Sequence, residues 1–356
     1  MADPISTLST HVTAPVDFVL MKGLLSAARK RLPFFNGTLP GTLEKKKGSA
    51  SVKWRRINNL TATTTALGET TGDWPIARTA VTPVISDVTV AVAKYGNHIK
   101  FSENIDLFNV NSDSVALVDT LGANAGESLN LTMEGVFSGA ANSRLAGASA
   151  DATAISTAIS VNDIKYVVNQ LNRQSAMKFF AEATGSQNVD SKTVRSSYMG
   201  VCHVDVEEDI RALSGFIAVE QYAGYTETYP FEFGAVAGVR WCSTEIIPIT
   251  TSVTGSTNTT LRGSSVTVHD VYRSYVFGME AVGSVGLGNT HATSSYEMYD
   301  PKKPPAVELI VKAVGSSGVA DPYNEVGSIA WKAWFAGKIL NDAWIWKVVS
   351  KSTKLT

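Results

Sequence analysis

The stretch from Gly327 to Val349 decides how this chain is read. It runs Gly327-Ser-Ile-Ala-Trp-Lys-Ala-Trp-Phe-Ala-Gly337, then Lys338-Ile-Leu-Asn-Asp342, then Ala343-Trp-Ile-Trp-Lys-Val-Val349. It holds four of the chain's seven tryptophans: Trp331, Trp334, Trp344 and Trp346. Ile329, Trp331, Ala333 and Phe335 share one parity, as a strand with one heavy face requires. Trp344, Trp346 and Val348 repeat the pattern. Residues 337–342 read as a short connection, so the stretch predicts two neighbouring strands in a hairpin. Indole rings bury large areas and belong in cores. Trp331, Trp334, Phe335, Trp344 and Trp346 are therefore expected to form the core of a domain. Nothing here has the character of a catalytic loop.

A chain of 356 residues with 44% hydrophobic and 18% charged content is globular, and long enough for one large or two ordinary domains. No apolar run reaches the roughly 18 residues that span a bilayer. The first residues carry no signal-peptide pattern, which leads to an expectation of cytoplasmic synthesis and free thiols at Cys202 and Cys242. The sequons at Asn36, Asn59, Asn130 and Asn258 then count only as turn-forming Asn and Thr. The net charge of −1 hides an asymmetry: residues 22–56 hold ten Lys or Arg and one acid, hence +9, leaving −10 on the rest. A basic arm on an acidic body has two uses. It can bind nucleic acid, or it can lie on the acidic surface of a second copy.

Residues 1–15 read as a loose arm, and residues 16–32 as an amphipathic helix with a cationic end, stopped by Pro33. Ser51–Ile57 and residues 84–103 read as two extended strands around a Thr-, Ala- and Gly-rich tip. Together they make a long hairpin reaching away from the body, and a lone two-stranded hairpin is marginal in water. Residues 112–138 are the best helix, capped by Ser112 or Asp113 and apolar at Val115, Leu117, Val118, Leu121, Leu129, Leu131, Met133 and Phe137. Residues 139–153 read as a small-residue linker. An α/β pattern follows: a helix over 161–177, a buried strand over 198–204, a short helix over 206–213, and strands over 237–247 and 266–279. A polar loop over 250–265 separates the last two. A final strand over 307–314 leads into the opening stretch.

No reaction class emerges from the polar residues. The five histidines, His11, His98, His203, His269 and His291, never fall within four residues of one another, so no local metal spacing exists. Cys202-His203 beside Asp205 has the makings of a thiol nucleophile, but its apolar strand context reads as inert core. Val282-Gly-Ser-Val-Gly-Leu-Gly-Asn289 has a glycine-rich order without a following helix, so it reads as a strand end rather than a phosphate loop. Glu207, Glu208 and Asp209 read as a solvated helix face or an acidic docking surface for a basic partner. Lys45, Lys46, Lys47, Arg55 and Arg56 lack the aromatic platform of single-strand binders.

Four stretches carry a resemblance to a known family. They are Gly48 to Glu69, His203 to Leu213, Phe233 to Thr244, and Gly315 to Val349. In this order, with a basic arm, long hairpin, long helix, α/β body and aromatic final strands, the chain resembles tailed-phage major capsid proteins. The shared architecture is the Hong Kong 97-type fold. The wording of the four stretches is most similar to the coat-protein branch named after coliphage N-four.

The resemblance implies an α+β fold with an N-terminal arm (1–44), an extended loop (45–83), a peripheral domain with a spine helix (84–160), an axial domain (161–289) and peripheral C-terminal strands (290–356). It implies a structural protein without catalysis or cofactor that self-assembles as hexamers and pentamers into the icosahedral head of a virion. Lys45, Lys46, Lys47, Lys53, Trp54, Arg55, Arg56, Glu69 and Trp74 of the arm and loop would touch neighbouring subunits. The implied partners are a portal protein, a separate scaffolding protein, decoration or cement proteins, and packaged double-stranded DNA, with no membrane. Assembly would take place in the bacterial cytoplasm. The alternatives are a cellular nanocompartment shell of the same fold and, from another class, a ligand-binding α+β protein.

Overall fold

The computed structural model describes residues 33–35, 37–42, 51–57, 60, 62, 64, 82–102, 114–179, 196–221, 229, 231–254, 260–263, 268–286, 307–312, 323 and 325–354. The expected helix over 16–32, the cap at Ser112 or Asp113, and Lys45, Lys46, Lys47, Glu69 and Trp74 lie outside these residues.

The long helix forms where its apolar spacing places it. Helix α1 (Ser114–Ser138) buries Val118, Leu121, Ala125, Leu129, Met133 and Phe137, a stripe at intervals of three and four. Leu131, expected among them, lies off this stripe and is 48% exposed. Two polar residues on the buried side are tied down. Asn130 Oδ1 accepts from the Phe34 backbone N–H at 3.3 Å. Glu134 Oε1 accepts from the Tyr275 hydroxyl at 2.6 Å.

The stripe lies on a five-stranded sheet. Its strands are β1 (Leu39–Thr42), β4 (Ala93–Ser102), β12 (Val282–Gly286), β13 (Val307–Lys312) and β14 (Val326–Ile339), in the order β1-β12-β14-β13 with β4 also on β14. β14 is the centre: Val326 to Phe335 pair antiparallel with Ser102 to Ala93, and Ser328 to Ala333 pair with β13. Ile329, Trp331, Ala333 and Phe335 are buried on the α1 side as their parity predicts, and Trp331 Nε1–H donates to Asn124 Oδ1 of α1 at 3.1 Å.

A second, eight-stranded sheet has the order β5-β15-β11-β6-β9-β8-β7, with β10 on β11. These strands are β5 (Ser143–Leu145), β6 (Tyr198–His203), β7 (Ile217–Ala218), β8 (Glu232–Val236), β9 (Val239–Thr244), β10 (Thr250–Thr254), β11 (Val268–Phe277) and β15 (Ile345–Ser350). Helices α2 (Val161–Arg173) and α3 (Val204–Arg211) cover it with Ile164, Val167, Leu171, Val206 and Ile210. Among the described residues, two strands, β2 (Ser51–Ile57) and β3 (Ile85–Ala91), pair only with each other.

The expected hairpin from 327 to 349 does not form. β14 and β15 belong to different sheets, because the chain crosses between them at 340–344. It also crosses in the opposite sense at 278–281, and the two crossings are bonded together. Leu340 and Asn341 N–H both donate to the Ala281 carbonyl, at 2.9 and 3.2 Å, and Gly278 N–H donates to the Trp344 carbonyl at 3.0 Å. β12 and β15 thus each lie in the sheet on the far side of the 289/290 boundary. Two of the expected core indoles move with this. Trp344 and Trp346 are half-buried and help cover the second core; Trp346 meets Tyr166 of α2 edge-on at 6.0 Å. Trp334 alternates to the outer face of β14 and is 39% exposed.

Three further expectations change. The strand over 84–103 divides at Val92 into β3 and β4, which pair with different partners. The linker over 139–153 contains β5, parallel to β15. Its Arg144 Nε donates at 3.0 Å to Asp163, a buried carboxylate that also takes the Ser160 hydroxyl at 2.6 Å. The loop over 250–265 contains β10.

The two crossings put aromatic rings at the joint. Phe137 lies 5.1 Å from Phe34, 5.7 Å from Tyr275 and 5.0 Å from Phe277, ring centre to ring centre. All four are fully buried. Phe137→Ala should therefore cost about 3–5 kcal/mol, read as a lower urea midpoint at constant slope for the unassembled subunit. A loss under ~1 kcal/mol would mean that the joint collapses to fill the void.

Candidate assembly surface

The arm β2–β3 is a regular antiparallel pair, Ser51 opposite Ala91 through Ile57 opposite Ile85. Its alternation separates two faces. Val52, Trp54, Val88 and Val90 share one face and are half-buried. Lys53, Arg55 and Asp87 share the other. Lys53 Nζ lies 2.5 Å from Asp87 Oδ2, and Arg55 Nε donates to Asp87 Oδ1 at 3.1 Å. Hydrogen bonds from Arg55, then Lys53, hold the Asp87 carboxyl below its ordinary range. Arg56 is exposed and forms no ion pair among the described residues. Of the expected contact cations, three lie among the described residues, and two of these are already matched within the arm.

The face bearing Trp54 meets β1 and β12. A Cβ added to Gly41 or to Gly283 would stand 2.8 Å from Trp54 Cζ2, so both positions admit only glycine under the indole. The described part of the glycine-rich stretch, 282–286, is strand β12 between β1 and β14, as its strand-like reading expected. Its role as a seat for Trp54 was not foreseen. The available signal was glycine inside an apolar strand, which marks close approach of another group.

The expected acidic docking surface is largely committed inside the subunit. Glu207 Oε1 accepts from Arg211 Nη2 at 2.7 Å, and Asp209 Oδ2 accepts from Thr353 N–H at 3.0 Å. Glu208 is exposed, and its carboxylate has no partner among the described residues. Just before it, His203 caps α3: its Nδ1 accepts from Asp205 N–H at 3.0 Å.

Burial pushes the His203 imidazole below its ordinary value of 6.5, outweighing the nearby Asp205 carboxylate. The folded state therefore disfavours protonation. Stability is full above about pH 6.5 and falls as pH drops from there through the folded pKa. His203→Asn keeps a cap acceptor without the titration, so it should flatten the urea midpoint against pH between about 7 and 5. An unchanged slope would place the effect elsewhere.

The two cysteines are free and buried, and Cys202 Sγ–H donates to the Cys242 carbonyl at 3.6 Å. Burial, then the Glu207 charge, pushes the Cys202 thiol well up, away from nucleophilic use. Among the described residues no three His, Cys, Asp or Glu gather as a metal site, and no helix is long and apolar enough to cross a membrane.

No protein-family model matches the sequence, and no curated protein matches it. Solved structures do. The chain is similar to the capsid of Ralstonia phage GP4, at 10% identity and TM-score 0.62, over 92% of this chain and 93% of that one. It is similar to the cyanophage Pam1 capsid, at 11% identity and TM-score 0.53, over 93% of each chain. It is similar to the capsid of cyanophage P-SCSP1u, at 11% identity and TM-score 0.52, over 88% and 86%. The chain has the phage capsid fold, the α+β architecture of the Hong Kong 97 type.

Proposed function

We propose that this chain is the major capsid protein of a tailed bacteriophage, a structural subunit that self-assembles as hexamers and pentamers into the icosahedral shell around double-stranded DNA. The observation that carries the reading is the extent of the likeness to phage capsid subunits, about nine-tenths of both chains. In this reading α1 and its sheet form the peripheral domain, and α2, α3 and the eight-stranded sheet form the axial domain. The arm β2–β3 is the extended loop. The proposed partners are further copies, a portal, a separate scaffolding protein, decoration proteins and the packaged genome. The proposed place of assembly is the host cytoplasm.

Electron microscopy of the purified chain, expressed alone and together with the genes adjacent to its own, tests this. Hollow icosahedral shells or hexameric plates are expected. Compact monomers under both conditions would overturn it, and shells loaded with an enzyme instead of DNA would move the chain to the nanocompartments.

A further inference from the structure

We propose that Trp54 latches the arm onto its own subunit, and that the latch must open before the arm can engage a second copy. The second half rests on the capsid reading.

The latch has a socket. Gly41 and Gly283 lie on adjacent parallel strands, Leu39 opposite Gly283 and Gly41 opposite Val285, so all four positions share one face. The Trp54 ring stands over both glycines, with Val285 and Leu340 beside it. The other apolar residues of the arm's inner face are short-chained: Val52, Val88 and Val90. Trp54 is therefore the one large apolar group holding the described arm down.

The latch is also loose. A partly open cleft of about 560 Å³ separates arm and body beside the ring, lined among others by Trp54, Arg56, Met177, Glu280, Leu340 and Trp344. Ser175 and Glu280 in its body wall are held left-handed, at φ = 51° and 63°, and the wall carries the bonded crossings. A contact made by one ring beside an unfilled space opens more readily than a packed interface. On one side the arm joins the body through a single residue, Val92, where the strand's partner changes from β2 to β14.

The latch leaves the arm unsatisfied. Ile57, Leu60, Val84 and Ile85, at the arm's outer end, are 62%, 57%, 63% and 51% exposed. Ile57 edges the cleft to the body, yet it and Ile85 across the ladder stay more than half exposed, so the described residues of the subunit cover this apolar end only in part. The closed arm is then a holding position with a second destination.

The test compares unassembled wild-type subunit with Trp54→Ala and Gly283→Ala. Hydrogen exchange over 51–57 and 85–91 should rise about tenfold in both variants while exchange in α1 and β11 stays unchanged. In Gly283→Ala, which keeps the indole but fills its seat, tryptophan emission should also shift to the red. Light scattering should show a shorter lag before shell growth for Gly283→Ala. Arm exchange within about twofold of wild type in both variants would overturn the latch. Faster exchange with an unshortened lag would overturn its role in assembly. Trp54→Ala, on a half-exposed arm, keeps the exchange test readable if Gly283→Ala fails to fold. Absence of shells from the wild type, both alone and with the products of the adjacent genes, would overturn the capsid reading instead, leaving the exchange result to judge the latch by itself.

Discussion

Arg240→Met will destabilise the unassembled subunit by about 3–5 kcal/mol, because it strands a buried carboxylate. Glu232 and Arg240 sit on the β8–β9 hairpin with side chains 0% and 3% exposed. Arg240 Nε donates to Glu232 Oε1 at 2.6 Å, and Arg240 Nη2 donates to Glu232 Oε2. Tyr229 N–H adds a bond to Oε2 at 3.0 Å, and the Tyr229 ring lies 5.0 Å from the guanidinium. Burial pushes the Tyr229 phenol up to about 12, so it stays neutral at any working pH. Removing the guanidinium takes away both side-chain bonds by which Arg240 neutralises the buried Glu232 carboxylate. Glu232→Leu combined with Arg240→Met should recover most of the loss, since an apolar pair of similar volume carries no desolvation cost. Urea unfolding of both variants decides it. A single-variant loss under ~1 kcal/mol would mean that water reaches the pair.

The pairing of the two residues was not legible in the sequence, and the reason is general. Ala235 faces Arg240 in the ladder, and Glu232 meets it only across a register shift between Glu232 and Gly234. A bulge is a tertiary event with no local pattern. What local patterns do fix was legible: β2 over Ser51–Ile57, the stripe of α1, the buried strand expected over 198–204, which ends one residue early at His203, the inert thiols and the parity of Trp331 and Phe335. Each depends on side-chain period alone. Parity says which residues share a face but not which strand lies alongside. That is why Trp331 was placed correctly while the hairpin to Trp346 was not. The crossings at 278–281 and 340–344 are fixed by hydrogen bonds between segments about sixty residues apart. The linker over 139–153 looked empty because Arg144 meets its counter-ion, Asp163, from another element. Of the candidate surface, the arm was legible as a hairpin in need of a partner. The seat for Trp54 was not, since it takes one glycine from each of two strands.

The pairing within the arm also changes what charge reversal should do. Lys53 and Arg55 spend their charge on Asp87, which stands between them on the same face. Arg55→Glu would put two carboxylates across one rung and loosen the arm itself. Arg56 points to the other side and forms no ion pair among the described residues. It is the arm cation that remains to meet an acidic neighbour. Arg56→Glu should therefore cut shell yield by at least about tenfold, since each like-charge contact costs a few kcal/mol and a closed shell repeats it at every subunit. The melting temperature of the unassembled subunit should stay within a degree or two, because an exposed side chain supports no packing. Arg55→Glu with Arg56→Glu should abolish shells altogether. Raising salt should weaken wild-type assembly in the same direction, as contacts between exposed charges are screened. The informative control is an empty shell. If Arg56→Glu assembles normally but the shells retain less DNA, the cation faces the genome and not a neighbouring subunit. If both assembly and DNA content match wild type, Arg56 has neither role, and adhesion of the arm falls to its apolar end at Ile57, Leu60, Val84 and Ile85.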